Sequence, residues 1–359
     1  MTGDPATGGL LEVDDLRVTF TLRGGPGHRR KVELTAVDGV SLSVRRRETL
    51  GLVGESGCGK STLAHAIVRL VPFEGRIRLD GEDVTDLRGR HLVEYRRRVQ
   101  LVFQDPYASL NPRLSVRRLI AEPLAFARRA AGADAGRDAL EHRVVELLGL
   151  VGLSADAADR YPHEFSGGQR QRIGLARALS VEPGVILADE PVSALDVSIQ
   201  AQIINLLVDL QDRLDLTLLF IAHDLAVVRH VSDRVGVMYL GRVVELGPAD
   251  TLYTRPLHPY TVALLAAVPV PDPDVQATRR RIVLSGDAPS PLAVPAGCRF
   301  HPRCPIARTD PCSTADPPLV EAEPGRFVAC HFPGELDAPD AVATTPDSDG
   351  PPLSAGSSS

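Results

Sequence analysis

Phe165–Arg172 reads FSGGQRQR, and shortly afterwards Val185–Pro191 reads VILADEP. The first stretch offers a hydroxyl (Ser166), two bare backbone N–H groups (Gly167, Gly168) and then Gln169 at what reads as a helix start. Helix N-termini attract anions because their first N–H groups have no intrahelical partner. The second stretch is a short apolar strand that ends in two carboxylates, Asp189 and Glu190. Alone, such a pair reads equally as solvated acids at a strand end.

Upstream, Gly54–Ser61 (GESGCGKS) decides between these readings. It fills every fixed position of the phosphate-loop pattern. Gly54, Gly57 and Gly59 let the backbone bend so that successive N–H groups face one anion, with Glu55, Ser56 and Cys58 between them. Lys60 reaches the β- and γ-phosphates, the Ser61 hydroxyl takes Mg²⁺, and Thr62 continues into a helix. An apolar strand before the loop (Thr49–Val53) and helical spacing after it (Ser61–Leu70) exclude a chance glycine-rich turn. Asp189 is then placed to hold Mg²⁺, and Glu190 to polarise an attacking water.

Working outward, strands are expected at Leu11–Phe20, Leu34–Val44, Thr49–Val53, Val99–Phe103, Val185–Ala188 and Leu216–Ile221. The first two alternate apolar and polar residues; the others are short apolar runs suited to a buried parallel sheet. Helices alternate with them, which predicts an α/β fold with a parallel-sheet core. Residues 106–179 read as a helical insert, with a loop near Ala130–Arg137. Gln104 and His223 follow apolar strands and emerge where α/β sheets bind ligands. The expected divisions are a flexible 1–10, an ATPase domain over 11–250, a proline- and cysteine-bearing extension over 251–333, and a disordered acidic tail over 334–359.

Composition bounds the partners. The chain has 359 residues, 43% apolar and 24% charged, with a net charge of −6. That balance suits a globular protein and gives no case for nucleic-acid binding. No stretch approaches the roughly 18 consecutive apolar residues of a membrane span, and Met1–Gly9 has no apolar signal core. A cytoplasmic protein is expected. Four of the five cysteines (Cys298, Cys304, Cys312, Cys330) crowd into the extension, which in a reducing compartment points to metal more than to disulfides.

SGGQ followed by VILADEP resembles the ATP-binding-cassette (ABC) ATPases. The resemblance continues through QDPYASLNP (Gln104–Pro112), YPHEFSGGQRQR (Tyr161–Arg172), PVSALDVSIQAQ (Pro191–Gln202), and HDLAVVRHVSDRVGVMYLGRVVELG (His223–Gly247). With HPYTVALL (His258–Leu265) and GCRFHPRCP (Gly297–Pro305) it is to the oligopeptide/dipeptide/nickel importers, nearest to the second ATPase subunit of a peptide importer. It implies an ABC-type phosphate-loop fold: a RecA-like core, an N-terminal antiparallel β part, the helical insert and a small C-terminal extension.

It implies a head-to-tail dimer with a second copy or a paralogue. Each ATP is sandwiched between Lys60 of one subunit and Ser166–Gln169 of its mate. Gln104 joins Mg²⁺ and water, His223 contacts the γ-phosphate, and Asp196 lies in a loop crossing the dimer interface, although a helix cap at Ser193 or Asp196 also explains that stretch. Phe20 stacks on adenine or fills the core.

Two membrane permeases and an external substrate-binding protein are the implied partners. The permeases dock near Asp105–Glu122, at the cytoplasmic face of the membrane. The four cysteines resemble ligands of a [4Fe–4S] cluster. Zinc, with His301 or His331 replacing one cysteine, and inert buried thiols are the alternatives. A non-transport ABC ATPase, or an importer of nickel or another small solute, is the competing function.

Overall fold

The computed structural model describes residues 8–23, 31–130, 132, 136–193, 195–268, 284, 286 and 289–337. Two sheets organise them. The smaller holds β1 (Leu11–Arg23), β2 (Lys31–Val44), β4 (Glu74–Leu79) and β5 (Glu82–Asp83), all antiparallel. The larger has eight strands. Five are parallel: β3 (Thr49–Val53), β6 (Val99–Val102), β7 (Val185–Asp189), β8 (Thr217–Ile221) and β9 (Arg234–Tyr239). Three more continue the β9 edge antiparallel: β10 (Arg242–Pro248), β11 (Val320–Glu323) and β12 (Arg326–Val328). The strand order is β11-β12-β10-β9-β3-β8-β7-β6.

The extension is therefore joined to the core sheet: β12 pairs with β10 through Glu245↔Val328 and Leu246↔Phe327. The expected parallel core is present inside a mixed sheet, because tight connections at residues 240–241 and 324–325 join antiparallel neighbours, and parallel pairs need a crossover.

Helices cover the larger sheet. They are α1 (Lys60–Ile67), α2 (Gly89–Arg98), α3 (Pro106–Ser109), α4 (Val116–Ala130), α5 (Arg137–Leu150), α6 (Gly167–Leu179), α7 (Val197–Leu214), α8 (Leu225–Val231), α9 (Ala249–Thr254) and α10 (Pro259–Ala267). Between β6 and β7 the regular structure among the described residues is all helical, α3 to α6 with two 3₁₀ turns, in the segment read as an insert.

The apolar runs of the parallel strands follow from burial on both faces. Val185 and Leu187 of β7 enter the core between the two sheets, whereas Ile186 and Ala188 enter the core on the helical side. Leu219 and Ile221 against Leu218 and Phe220 divide in the same way on β8. Burying each large aliphatic side chain contributes about 1.5–3 kcal/mol, so these strands carry apolar residues at consecutive positions rather than at alternate ones.

An ion cluster ties the sheets to the extension. Asp38 on β2 accepts from Arg17, Arg242 and Arg299. Burial alone would raise the Asp38 carboxyl, but Arg299 and Arg242 hold it below the usual carboxylate range.

The inner edges of both expected flexible ends are held. Leu10 is buried and its N–H reaches Val44 O at 2.8 Å, pinning the chain before β1. Gly334 N–H reaches Leu257 O at 2.8 Å, and Glu335 accepts from Arg308 at 2.6 Å. The rest of both ends, residues 1–7 and 338–359, lies outside the described residues, as do 24–30 of the arginine-rich loop and four positions of the loop expected near Ala130–Arg137.

Candidate nucleotide site

The strand order brings the motif residues together. β6, β7, β8 and β3 lie side by side, about 4.8 Å apart, and their C-terminal ends carry Gln104, Asp189–Glu190, His223 and the phosphate loop.

The loop follows β3 and feeds α1. Gly54, Gly57 and Gly59 have φ of 153°, 78° and 108°, where an L side chain is strained. A Cβ on Gly54 would stand 2.1 Å from Met238 O, and one on Gly59 2.2 Å from Ala36 O, so both are needed for close backbone approach; Gly57 has nothing within 4 Å. Lys60 Nζ donates to Gly54 O at 2.8 Å and Glu55 O at 3.0 Å. Cys58 packs beneath the loop as a buried filler, and burial pushes its thiol up.

Ser61 Oγ donates to Asp189 Oδ1 at 2.9 Å. Burial raises the Asp189 carboxyl, against the Ser61 bond, which lowers it. Hydroxyl and carboxylate oxygens side by side suit a hard cation such as Mg²⁺ by donor type.

Glu190 is the meeting point. Its backbone is left-handed (φ 44°), and its N–H is held by Ile221 O at 2.9 Å. Gln104 Nε2 donates to Glu190 Oε2 at 2.8 Å, and His223 Nδ1 stands 3.5 Å from the same oxygen. Ser193 Oγ adds a longer contact to Gln104 at 3.4 Å and reaches Glu190 O at 3.2 Å. Sequence reading gave Ser193 no part in this cluster, offering it as part of the dimer-interface loop Ser193–Asp196 or as a helix cap. The N-cap position of α7 belongs to Asp196, as one of the two cap readings expected, although its side chain makes no capping bond; Ser193 is not the cap. Asp196 and Val197 lie exposed at that helix end.

Ser166 caps α6. Its Oγ accepts from Gln169 N–H at 3.3 Å while Gln169 Oε1 accepts from Ser166 N–H at 3.0 Å. A Cβ on Gly168 would stand 2.4 Å from Ile199 Cγ2, so this glycine also lets α6 pack against α7. The segment after Gln104 rests on α6: Arg170 lies over the Tyr107 ring at 3.8 Å, and Arg177 donates to Ser109 O at 2.8 Å. Phe20 is half-buried and packs against the apolar core between the sheets.

A match to the family model described as ABC transporter spans residues 37–193, and relatives about half identical cover nearly the whole chain. This chain belongs to the ABC transporter ATPases. The ATPase's region 244–312 also matches the model described as oligopeptide/dipeptide transporter, C-terminal region. The oligopeptide transport ATP-binding protein AppF of Bacillus subtilis is 53% identical over 325 residues, 90% of this chain and 97% of AppF. OppF of Salmonella typhimurium, also an oligopeptide transport ATP-binding protein, is 50% identical over 324 residues, 89% of this chain and 95% of OppF. Among solved structures, the ATP-binding cassette MJ0796, dimeric in a post-hydrolysis state with ADP and Pi, matches with TM-score 0.58 and 30% identity. That match covers 67% of this ATPase and 98% of the cassette.

In the extension, Cys298, Cys304, Cys312 and Cys330 are all unpaired and line one small pocket with His301, His331 and Phe300. Burial pushes the Cys304 thiol up to about 11 and the Cys330 thiol up to about 12. Metal ligation needs the thiolate form, which burial here opposes. Thiolate sulfur is the donor type that an iron–sulfur cluster takes, but the arrangement of these four cysteines gives the cluster no support. Among the described residues no three His, Cys, Asp or Glu side chains are set to hold a single metal ion. His301 Nδ1 and His331 Nε2 are each engaged by a backbone carbonyl, Cys298 O and Ala315 O. Neither the expected [4Fe–4S] cluster nor the zinc alternative is supported by this arrangement of the described residues. No helix among the described residues is long and apolar enough to cross a membrane.

Proposed function

We propose that this ATPase is the motor subunit of a peptide importer, coupling ATP binding and hydrolysis to uptake of di- or oligopeptides through two partner permeases at the cytoplasmic face of the membrane. The observation that carries the catalytic part is the convergence of Gln104, His223 and Ser193 on Glu190. The likeness to AppF and OppF supports the peptide part.

In this reading the loop from Gly54 to Thr62 cradles the phosphates, with Lys60 on the β- and γ-phosphates. Ser61, Asp189 and Gln104 hold Mg²⁺, which neutralises phosphate charge. Glu190 accepts a proton from the attacking water, and Gln104 and His223 fix its carboxylate. Ser166–Gln169 of one protomer cap the ATP held by its mate, a second copy or a paralogue, and Asp196 lies along that contact. Phe20 faces the adenine. An external binding protein delivers the peptide. The four cysteines hold a [4Fe–4S] cluster, whose part is to cross-link the extension.

Glu190→Gln tests the assignment. Removing a general base costs about 10²–10⁴ in rate. Steady-state phosphate release is expected to fall at least a hundredfold while ATP still binds and dimers accumulate in size-exclusion chromatography. Hydrolysis within threefold of the unaltered protein removes Glu190 from this role.

A further inference from the structure

Glu55, the second residue of the phosphate loop, is held by three of its groups at once. Its carbonyl accepts from Lys60 Nζ at 3.0 Å. Its N–H donates to Tyr260 Oη at 2.9 Å. Both carboxylate oxygens lie 3.0 Å from one guanidinium nitrogen of Arg303, which is only 10% exposed. The first bond is internal to the loop; the other two come from the C-terminal extension.

Both extension residues are themselves fixed. Glu245 on β10 accepts from the N–H groups of Leu257 and His258 at 2.8 and 2.9 Å, anchoring the start of α10. His258 caps that helix by accepting from Tyr260 N–H at 3.0 Å. Tyr260, Tyr239 and Phe300 form an aromatic cluster with centroids 4.6–5.3 Å apart. Arg303 sits on the turn His301–Arg303, between Cys298 and Cys304, and Arg299 of the same segment is bound to Asp38 and Leu240 O.

An acidic side chain in a loop that receives a polyphosphate is unfavourable unless neutralised, because like charges a few ångströms apart repel strongly where water is partly excluded. We propose that Arg303 is a positioning residue of the nucleotide site. It neutralises the Glu55 carboxylate and, together with Tyr260, holds the residue whose carbonyl orients Lys60. The cysteine-bearing extension is in this way a working part of the phosphate loop. The proposal rests on the loop's binding ATP as described above.

The test is ATP affinity of the full chain, measured by displacement of trinitrophenyl-ATP at about 20 mM and about 300 mM salt, where exposed charges are screened differently. Arg303→Gln is expected to weaken ATP about five- to tenfold at low salt and about twofold at high salt. AMP, which lacks the β- and γ-phosphates, is expected to lose less than twofold. Arg303→Lys keeps the charge and is expected within threefold of the unaltered protein. Arg303→Gln combined with Glu55→Gln is expected to recover most of the loss, a rescue that a merely structural role of Arg303 does not produce. Equal affinities for Arg303→Gln and Arg303→Lys at low salt, or a double variant as weak as Arg303→Gln, overturn the proposal. An unaltered chain that binds no ATP instead refutes the nucleotide assignment itself.

Discussion

The N-termini of α1 and α6 share a chemistry and differ in how it is used. Both begin at glycine-bearing turns and present the positive end of a helix. At α1 the cap residue is Gly59 in a left-handed conformation, with no side-chain capping bond. Nothing of the chain's own side chains competes with an anion there. At α6, Ser166 and Gln169 cap each other. A phosphate arriving at α6 must displace bonds that already exist. In the proposed reading, this difference lets one end grip nucleotide by itself, whereas the other suits a ligand brought by a second protomer.

The largest expected effect falls on the α1 side alone. Lys60→Ala removes a charged donor, and charge-assisted bonds are worth about 1.5–3 kcal/mol. ATP affinity by titration calorimetry is expected to drop roughly ten- to a hundredfold, while Ser166→Ala leaves the affinity of the dilute, monomeric chain within about twofold. Comparable losses in both variants would erase the distinction.

The glycines sharpen it. Gly168→Ala pushes a methyl against Ile199, at 2.4 Å, and overpacking of this kind costs about 1–3 kcal/mol. Urea denaturation is expected to show that loss, partly recovered by Ile199→Ala. Gly57 stands in open space with φ 78°, so Gly57→Ala is expected to cost about 1–2 kcal/mol of strain and to reduce ATP affinity. A Gly168→Ala protein as stable as the parent would show that this contact relaxes freely.

The smallest effect is the cap itself. Ser166→Ala is expected to lower stability by about 1 kcal/mol, read as a shift in the denaturation midpoint with unchanged slope. A change below a few tenths of a kcal/mol would mean that the Ser166–Gln169 box adds little and that a phosphate displaces it at small cost.

Much of the site was legible because its chemistry is local. The phosphate loop packs glycines, lysine and serine into eight positions, and VILADEP carries its own carboxylates. The apolar runs of β3, β7 and β8 announced burial on both faces. Strands β4, β5, β9, β10, β11 and β12 were not read. The last two are partly exposed or only three residues long, and the partner that joins β12 to the core sheet, β10, lies far back along the chain. Phe20 stayed ambiguous because a half-buried edge position satisfies both core and ligand readings.

By itself the sequence determined the phosphate-loop pattern, the acidic strand end and the glycine-bearing helix start proposed as a second anion seat. Each is complete within a few consecutive residues, and backbone conformation alone brings their groups together. Only the tertiary structure decided that Gln104, Glu190 and His223 share one oxygen, and that Arg303 reaches Glu55 across 248 positions. Hydropathy patterning states which faces of a strand are buried. It does not state which strand lies beside which, and that order sets these contacts.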